Sequence, residues 1–274
     1  MTYATGHKYI NFAALPHISC AGCGNGTIAG ALLRAYEELG FERKGIVMVM
    51  GIGCSGTVDR FIDVNSLHST HGRALTFATG IKAANPKLNV VCFLGDGDGA
   101  TIGGNHLIHA ARRNMGITVI LVNNLNYGMT GGQVSGTTPL NAITITTQFG
   151  NPEQGFDLCE LVKAAGANFV ARETAVGGIR LKNRIKEALQ NPGFSFMDII
   201  SPCTTLFGPR NKLKKPVDML NWLKEKAIPA SKYDQIENAA QQGYFKIGVF
   251  KNENNPSYNE RYEAVRKLAA AGGE

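Results

Sequence analysis

The chain has no run of apolar residues approaching the roughly 18 that a membrane helix requires, and residues 1–7 lack the apolar core of a secretory leader. A soluble, cytoplasmic protein without membrane insertion is expected. Zinc-finger, basic-zipper and RNP-type spacings are also missing. The formal charge of +7 therefore gives no reason to expect nucleic acid; a basic surface equally suits an acidic protein partner or a phosphate-bearing small molecule. There are no internal repeats and no low-complexity segments. What is present is 274 residues with 44% apolar content, enough for one large α/β domain or a domain with an appendage. The six cysteines, in a compartment that keeps thiols reduced, are expected to be buried or to bind metal rather than to form a disulfide framework.

Continuous apolar runs alternate with helical patterns. The runs predict strands at 46–50, 89–94, 117–122, 168–172 and 195–201, and helices at 24–40, within 71–86, and at 102–115, 157–165 and 176–190. Strands apolar on both sides and separated by helices predict a parallel sheet covered by helices on both faces. The polar stretch between Val122 and Asp157 is too long for an ordinary connection and is expected to be functional. After Pro202 come a basic run at 210–216, an amphipathic segment at 219–228, a short strand at 244–250 and a helix near 259–271. Two parts follow: residues 1–202 as the cofactor-binding α/β domain, and 203–274 as a C-terminal arm packing on that domain or on a partner.

GIGCSG at 51–56 matches G-x-G-x-x-G, which often cradles a dinucleotide pyrophosphate. Such a loop should open into an amphipathic helix and be followed about 20 residues later by an acid. Here Gly56 leads into Thr57-Val58-Asp59-Arg60-Phe61, and the later position holds Leu75-Thr76-Phe77-Ala78. The dinucleotide reading is disfavoured. GDGDGATIGG at 95–104, taken with Asn123-Asn124, says more. Asp96 follows one predicted strand and Asn124 the next, and a right-handed crossover brings both strand ends to one sheet edge. A carboxylate and an amide oxygen form a hard, incomplete set that suits Mg²⁺ completed by diphosphate oxygens, a backbone carbonyl and water. Gly95, Gly97 and Gly99 admit phosphates close to the backbone, and the following helix N-terminus favours their charge. A solvated aspartate in a glycine turn is the simpler alternative; the spacing to Asn123-Asn124 favours the metal–diphosphate reading.

Cys92 and Cys159 sit among apolar neighbours and are expected in the core. Cys20-Ala21-Gly22-Cys23 precedes a predicted helix, Cys54 follows the first strand and Cys203 the last. Together they offer four thiolates, enough for zinc or for a [4Fe–4S] cluster. His106 and His109, on the crossover helix, are expected to pack or cap rather than to ligate.

HISCAGCGNG, GIGCSG, LHSTHGRALTFATGIKAANP, GDGDGATIGGNHLIHAARRN, VNNLNYGMTGGQVSGTTP and ISPCTTLFGPRNK occur in that order. Over nearly the whole chain this series resembles the thiamine-binding β subunit of 2-oxoacid:ferredoxin oxidoreductases. The resemblance implies a thiamine diphosphate-binding (PP-type) fold with a [4Fe–4S] cluster on Cys20, Cys23, Cys54 and Cys203. It implies Mg²⁺ on Asp96, Asn124 and the carbonyl of Asn126. Thiamine diphosphate contacts would come from Ile52, Gly53, Cys54, Ser55, His71, Gly72, Gly95, Gly97, Asp98, Gly128 and Met129. Many members have Trp-Cys-Pro-Gly-Cys where this chain has Ser19-Cys20-Ala21-Gly22-Cys23, which keeps both cysteines and alters the rigidity of the loop.

The implied reaction is the reversible, coenzyme A-dependent oxidative decarboxylation of a 2-oxoacid, with electrons leaving singly through the cluster to ferredoxin. The motifs look most like members acting on 2-oxoglutarate, with branched-chain 2-oxoacids and pyruvate as alternatives, and Arg73 or Arg210 as candidate partners for a substrate carboxylate. The activating glutamate and pyrimidine-binding domain of a thiamine site would lie on an α subunit, in a dimer of αβ units. A non-redox thiamine decarboxylase half and a zinc-stabilised nucleotide-binding module are the competing readings.

Overall fold

The apolar runs form the inner strands of an eight-stranded sheet in the computed structural model, which describes residues 5–272. Residues 1–4, part of the segment read as lacking a leader core, and residues 273–274 lie outside the described residues. Helix α1 (Asn25–Glu38) precedes β1 (Ile46–Met50) and β2 (Asn65–His68); then come α2 (Ala74–Ala84), β3 (Asn89–Gly95), α3 (Gly104–Arg113) and β4 (Ile117–Asn123). After the long polar segment follow α4 (Leu158–Ala165), β5 (Phe169–Thr174), α5 (Ile179–Gln190) and β6 (Ser195–Ile200). The order β2-β1-β3-β4-β6-β5 is parallel throughout, so all six strands end at the same edge.

Both sheet faces are buried, which is why the strands are apolar without alternation. Val91, Phe93, Ile120 and Val122 pack with Ile28 and Leu32 of α1 and Leu181 and Ile185 of α5. Val90, Cys92, Leu94, Val119 and Leu121 pack on the other side with Leu75 of α2, Leu107 of α3, and Leu158 and Val162 of α4. Cys92 and Cys159 are fully buried in this second layer. Strand β2 was not expected from the sequence. It lies at the sheet edge, and of its residues only Leu67 is apolar and packs on the core, so it has no hydrophobic signature.

The chain after Cys203 forms α6 (Phe207–Arg210), α7 (Pro216–Lys226), β7 (Ala227–Pro229), α8 (Ala230–Tyr233), β8 (Phe245–Asn252) and α9 (Tyr258–Ala270). Strand β8 extends the sheet by pairing antiparallel with β5, and β7 pairs parallel with β8. Phe207, Met219 and Trp222 close a small third cluster over Leu125 and Cys203. Among the described residues no helix is long and apolar enough to cross a membrane.

Arg172 of β5 is buried between two carboxylates. Its Nε donates to Asp198 at 2.7 Å and its Nη2 to Asp157 at 2.6 Å, while Asn123 Nδ2 donates to the other oxygen of Asp198 at 3.0 Å. Arg172→Met would leave Asp198, 1% exposed, charged and without its cation. Breaking such a buried pair costs about 3–5 kcal/mol. Urea unfolding is expected to show that loss, and the double variant with Asp198→Asn is expected to recover part of it. A midpoint unchanged in the single variant would contradict the pairing.

Candidate active site

The loops after β1, β3, β4 and β6 meet at the shared edge, and one buried carboxylate ties three loops there together. Asp98 Oδ1 accepts from the backbone N–H of Ile52 at 3.1 Å and of Gly72 at 2.8 Å, and lies 2.5 Å from His71 Nδ1. Gly51 must be glycine, because a Cβ there would sit 1.7 Å from Asp98 Oδ2. Asp98 thus fixes the GIGCSG loop and the His71-Gly72 turn against the start of α3. The glycine-rich stretch that reads as a turn in the sequence is a π-helical turn, Gly97–Ile102, running into α3. Glycine makes this turn possible: a Cβ on Gly97 would lie 2.3 Å from the Tyr127 ring, and one on Gly103 2.6 Å from the Asp98 carbonyl oxygen.

Asp96 and Asn124 come together as the crossover requires. The side-chain amide oxygen of Asn124 lies 3.0 Å from Asp96 Oδ1 and 2.6 Å from the carbonyl oxygen of Asn126. Three oxygens therefore converge with no hydrogen between them. With no cation, the amide would turn over and donate its N–H to both neighbours; a divalent ion favours the orientation with oxygen inward. One carboxylate, one amide oxygen and one carbonyl are the hard donors that Mg²⁺ takes, leaving room for phosphate and water. Asp96 is 1% exposed, and burial pushes its carboxyl up to about 6 against the hydrogen bonds from Ser135 and Thr137. A bound cation would reverse that cost.

The cysteines converge beside this set. Gly24 presses the start of α1 against the end of β6, where a Cβ would meet Ser201 Oγ at 2.3 Å. Thr204 Oγ1 then donates to the carbonyl of Ala21 at 2.7 Å, binding the Cys203 segment to the Cys20–Cys23 turn. Burial, and after it the neighbouring Cys203 and Cys20, raise the Cys23 thiol. Burial likewise pushes Cys54 up to about 11, with Cys23, Cys203 and Cys20 adding to it. Cys23 and Cys54 thus lie near enough to Cys20 and Cys203 to be affected by them. Among the described residues no three Cys, His, Asp or Glu side chains crowd closely enough for a single metal ion.

A cleft of about 90 Å³ joins the two features. Ile52, Gly53, Cys54, Ser55 and His71 line it from one side, Gly95 to Asp98 form its floor, and Asn124, Asn126, Gly128 and Met129 close the other side. Gly128 lies at the junction: a Cβ there would be 3.5 Å from Cys54 Sγ and 3.4 Å from Asn124 Nδ2. Gly72 touches the cleft only through Asp98. Arg73 and Arg210 do not line it: Arg73 bonds back to the Gly72 carbonyl, and Arg210 to the carbonyl of Leu206. His109 accepts from Arg112, and His17 lies against Phe61. A larger cavity of about 670 Å³, between the long polar segment and the C-terminal arm, contains none of the predicted residues. Sequence reasoning missed Tyr127, whose hydroxyl donates to the Gly97 carbonyl, and the hydroxyls of Ser135 and Thr137. Their only signal was a cluster of small polar residues in an overlong connection.

Residues 51–199 match the family described as "Thiamine pyrophosphate enzyme, C-terminal TPP binding domain". The chain is 48% identical over 254 residues to the 2-oxoglutarate synthase subunit KorB of Methanothermobacter marburgensis, covering 93% of this chain and 89% of that protein. It is 36% identical to a 2-oxoacid:ferredoxin oxidoreductase subunit beta of a Sulfolobus species, covering 89% and 85%. Among solved structures it superposes on a 2-oxoglutarate:ferredoxin oxidoreductase from Magnetococcus marinus, described with 2-oxoglutarate, coenzyme A and succinyl-CoA bound. That match has a TM-score of 0.86 and 30% identity and covers 98% of this chain and 92% of the other.

Proposed function

Because the chain belongs to the beta subunits of the 2-oxoacid:ferredoxin oxidoreductases and contains a thiamine pyrophosphate-binding domain, we propose that it forms the cofactor-bearing half of an enzyme converting 2-oxoglutarate and coenzyme A to succinyl-CoA and carbon dioxide. Ferredoxin takes the electrons, and the reaction is reversible. The observation behind this reading is the adjacency of two donor sets: the oxygens of Asp96, Asn124 and Asn126, and the thiols of Cys20, Cys23, Cys54 and Cys203, meeting at Gly128.

When bound, thiamine diphosphate supplies the electron sink for decarboxylation, Mg²⁺ neutralises its diphosphate, and a [4Fe–4S] cluster accepts electrons singly. The chain does the holding. Asp96, Asn124 and the Asn126 carbonyl would hold the cation, and Gly97 lets the backbone of this turn lie against Tyr127. Asp98 fixes the positions of Ile52 and His71, which would then contact the thiamine. Zinc would need its thiolates packed in one tight shell, and among the described residues no three such side chains form one; four thiols around one point suit a cluster. Burial holds the Cys23 and Cys54 thiols protonated at neutral pH, so cluster assembly releases their protons.

The cleft is far smaller than the roughly 300 Å³ of an ordinary cofactor pocket, and Ile52 and Met129, 40% and 52% exposed, leave apolar surface at its mouth. An α subunit that covers this mouth would supply the activating glutamate. It would also supply the cation for the distal substrate carboxylate, since Arg73 and Arg210 lie outside the cleft.

The test is anaerobic purification of the chain with its α subunit, followed by metal analysis and by reduction of a one-electron dye. About four irons per chain, with dye reduction that needs both 2-oxoglutarate and coenzyme A, is the expected result. Zinc, or no metal after anaerobic handling, would overturn the electron-transfer reading. Reduction with pyruvate in place of 2-oxoglutarate would overturn the substrate.

A further inference from the structure

The long polar segment between β4 and α4 folds back onto both ends of the oxygen trio. Ser135 Oγ and Thr137 Oγ1 both donate to Asp96 Oδ2, at 2.6 and 2.7 Å. Thr138 Oγ1 donates to the carbonyl of Leu125 at 2.7 Å and accepts from the backbone N–H of Ser135 at 2.9 Å. All three hydroxyl residues are buried. Leu125 stands between Asn124 and Asn126 with a φ of +66°, a left-handed conformation that is costly for a leucine. The same segment reaches the turn after Asp96, where the backbone N–H of Gly136 donates to Thr101 Oγ1 at 2.9 Å.

We propose that Ser135, Thr137 and Thr138 are a hydroxyl clamp, a set of positioning residues that presents Asp96 to the cation through one oxygen only and holds the strained Asn124–Asn126 backbone in register with it. This rests on the metal–diphosphate reading above. A carboxylate rotates readily about its last torsion and, left free, can offer both oxygens to one ion. Two O–H donors on Oδ2 occupy that oxygen's lone pairs and leave Oδ1 turned toward Asn124. A single-oxygen ligand suits the compact octahedral shell of Mg²⁺, whereas Ca²⁺ accepts carboxylates through both oxygens and a looser shell. The clamp therefore sets ion selectivity as well as affinity, and it explains why so many hydroxyl residues lie in a connection that bridges two neighbouring elements.

The experiment uses the purified αβ complex with thiamine diphosphate and reads cation affinity directly, with Mn²⁺ as an electron paramagnetic resonance probe and Mg²⁺ and Ca²⁺ as competitors. Thr137→Val keeps the shape and removes the donor; Thr137→Ser restores the donor; Ser135→Ala removes the second donor at small volume cost. Loss of an outer-shell partner typically weakens metal binding about 10–100-fold. That loss is expected for Thr137→Val and Ser135→Ala, with a fall in preference for Mg²⁺ over Ca²⁺, and near-native values are expected for Thr137→Ser. Native affinity and selectivity in both Thr137→Val and Ser135→Ala would overturn the clamp, as would failure of Thr137→Ser to recover them. Should Thr137→Val fail to fold, Ser135→Ala decides alone. Asp96→Asn separates the two readings: if it binds Mn²⁺ like the parent, the metal site itself is wrong, and if it alone loses Mn²⁺, only the clamp is.

Discussion

Asp96→Asn is expected to abolish Mg²⁺-dependent binding of thiamine diphosphate while leaving the metal-free chain as stable as the parent or more so. Asp96 contributes the one formal charge among the three converging oxygens, and without it an amide and a carbonyl face a divalent ion alone. Loss should exceed the about 10–100-fold that an outer-shell change brings, and turnover should vanish with it. Stability should move the other way. Burial pushes the Asp96 carboxyl up to about 6, so at pH values above this the ion-free chain holds a desolvated charge. An asparagine can accept the hydroxyls of Ser135 and Thr137 through its oxygen and donate its N–H to the Asn124 oxygen. Calorimetric titration with Mg²⁺–thiamine diphosphate and thermal unfolding without metal check the two halves. Cofactor binding equal to the parent's would remove Asp96 from the site.

Much of this was legible before any coordinates, for identifiable reasons. Strands β1, β3, β4 and β6 are buried on both faces, so their composition alone marks them, and parallel strands joined by helices must end at one edge. That topological rule predicts that Asp96 meets Asn124 and places Cys54 and Cys203 at the same edge. Other features leave no local trace. Strand β2 is an edge strand whose signal is pairing rather than burial. The π-helical turn at Gly97–Ile102 reads as a loop, because glycines and aspartates suggest a turn and only the contacts of Gly97 and Gly103 show why a helix closes there. The clamp at 135–138 joins residues about forty positions apart, and hydroxyl chemistry is too common in loops for spacing to reveal a partner.

Cys54→Ser is expected to lower iron from about four per chain toward none and to stop dye reduction, yet to leave Mg²⁺-dependent thiamine diphosphate binding within a few-fold of the parent. The two effects separate because, although Cys54 lines the cleft, serine keeps its size and the oxygens that would hold the diphosphate belong to other loops. Serine preserves the shape of the turn, so the residues from Ser55 onward should keep their 3-10 helix. Cys159→Ser is the control. Its thiol is fully buried in the second core layer, away from the sheet edge, so it should cost stability and leave iron content unchanged. If Cys54→Ser kept its iron, Cys54 would not be a ligand and the iron would be held by other residues, away from the cleft. If instead both variants lost iron equally, the loss would follow from general destabilisation, and the proximity of Cys54 Sγ to Gly128 and Asn124 would have no bearing on electron transfer.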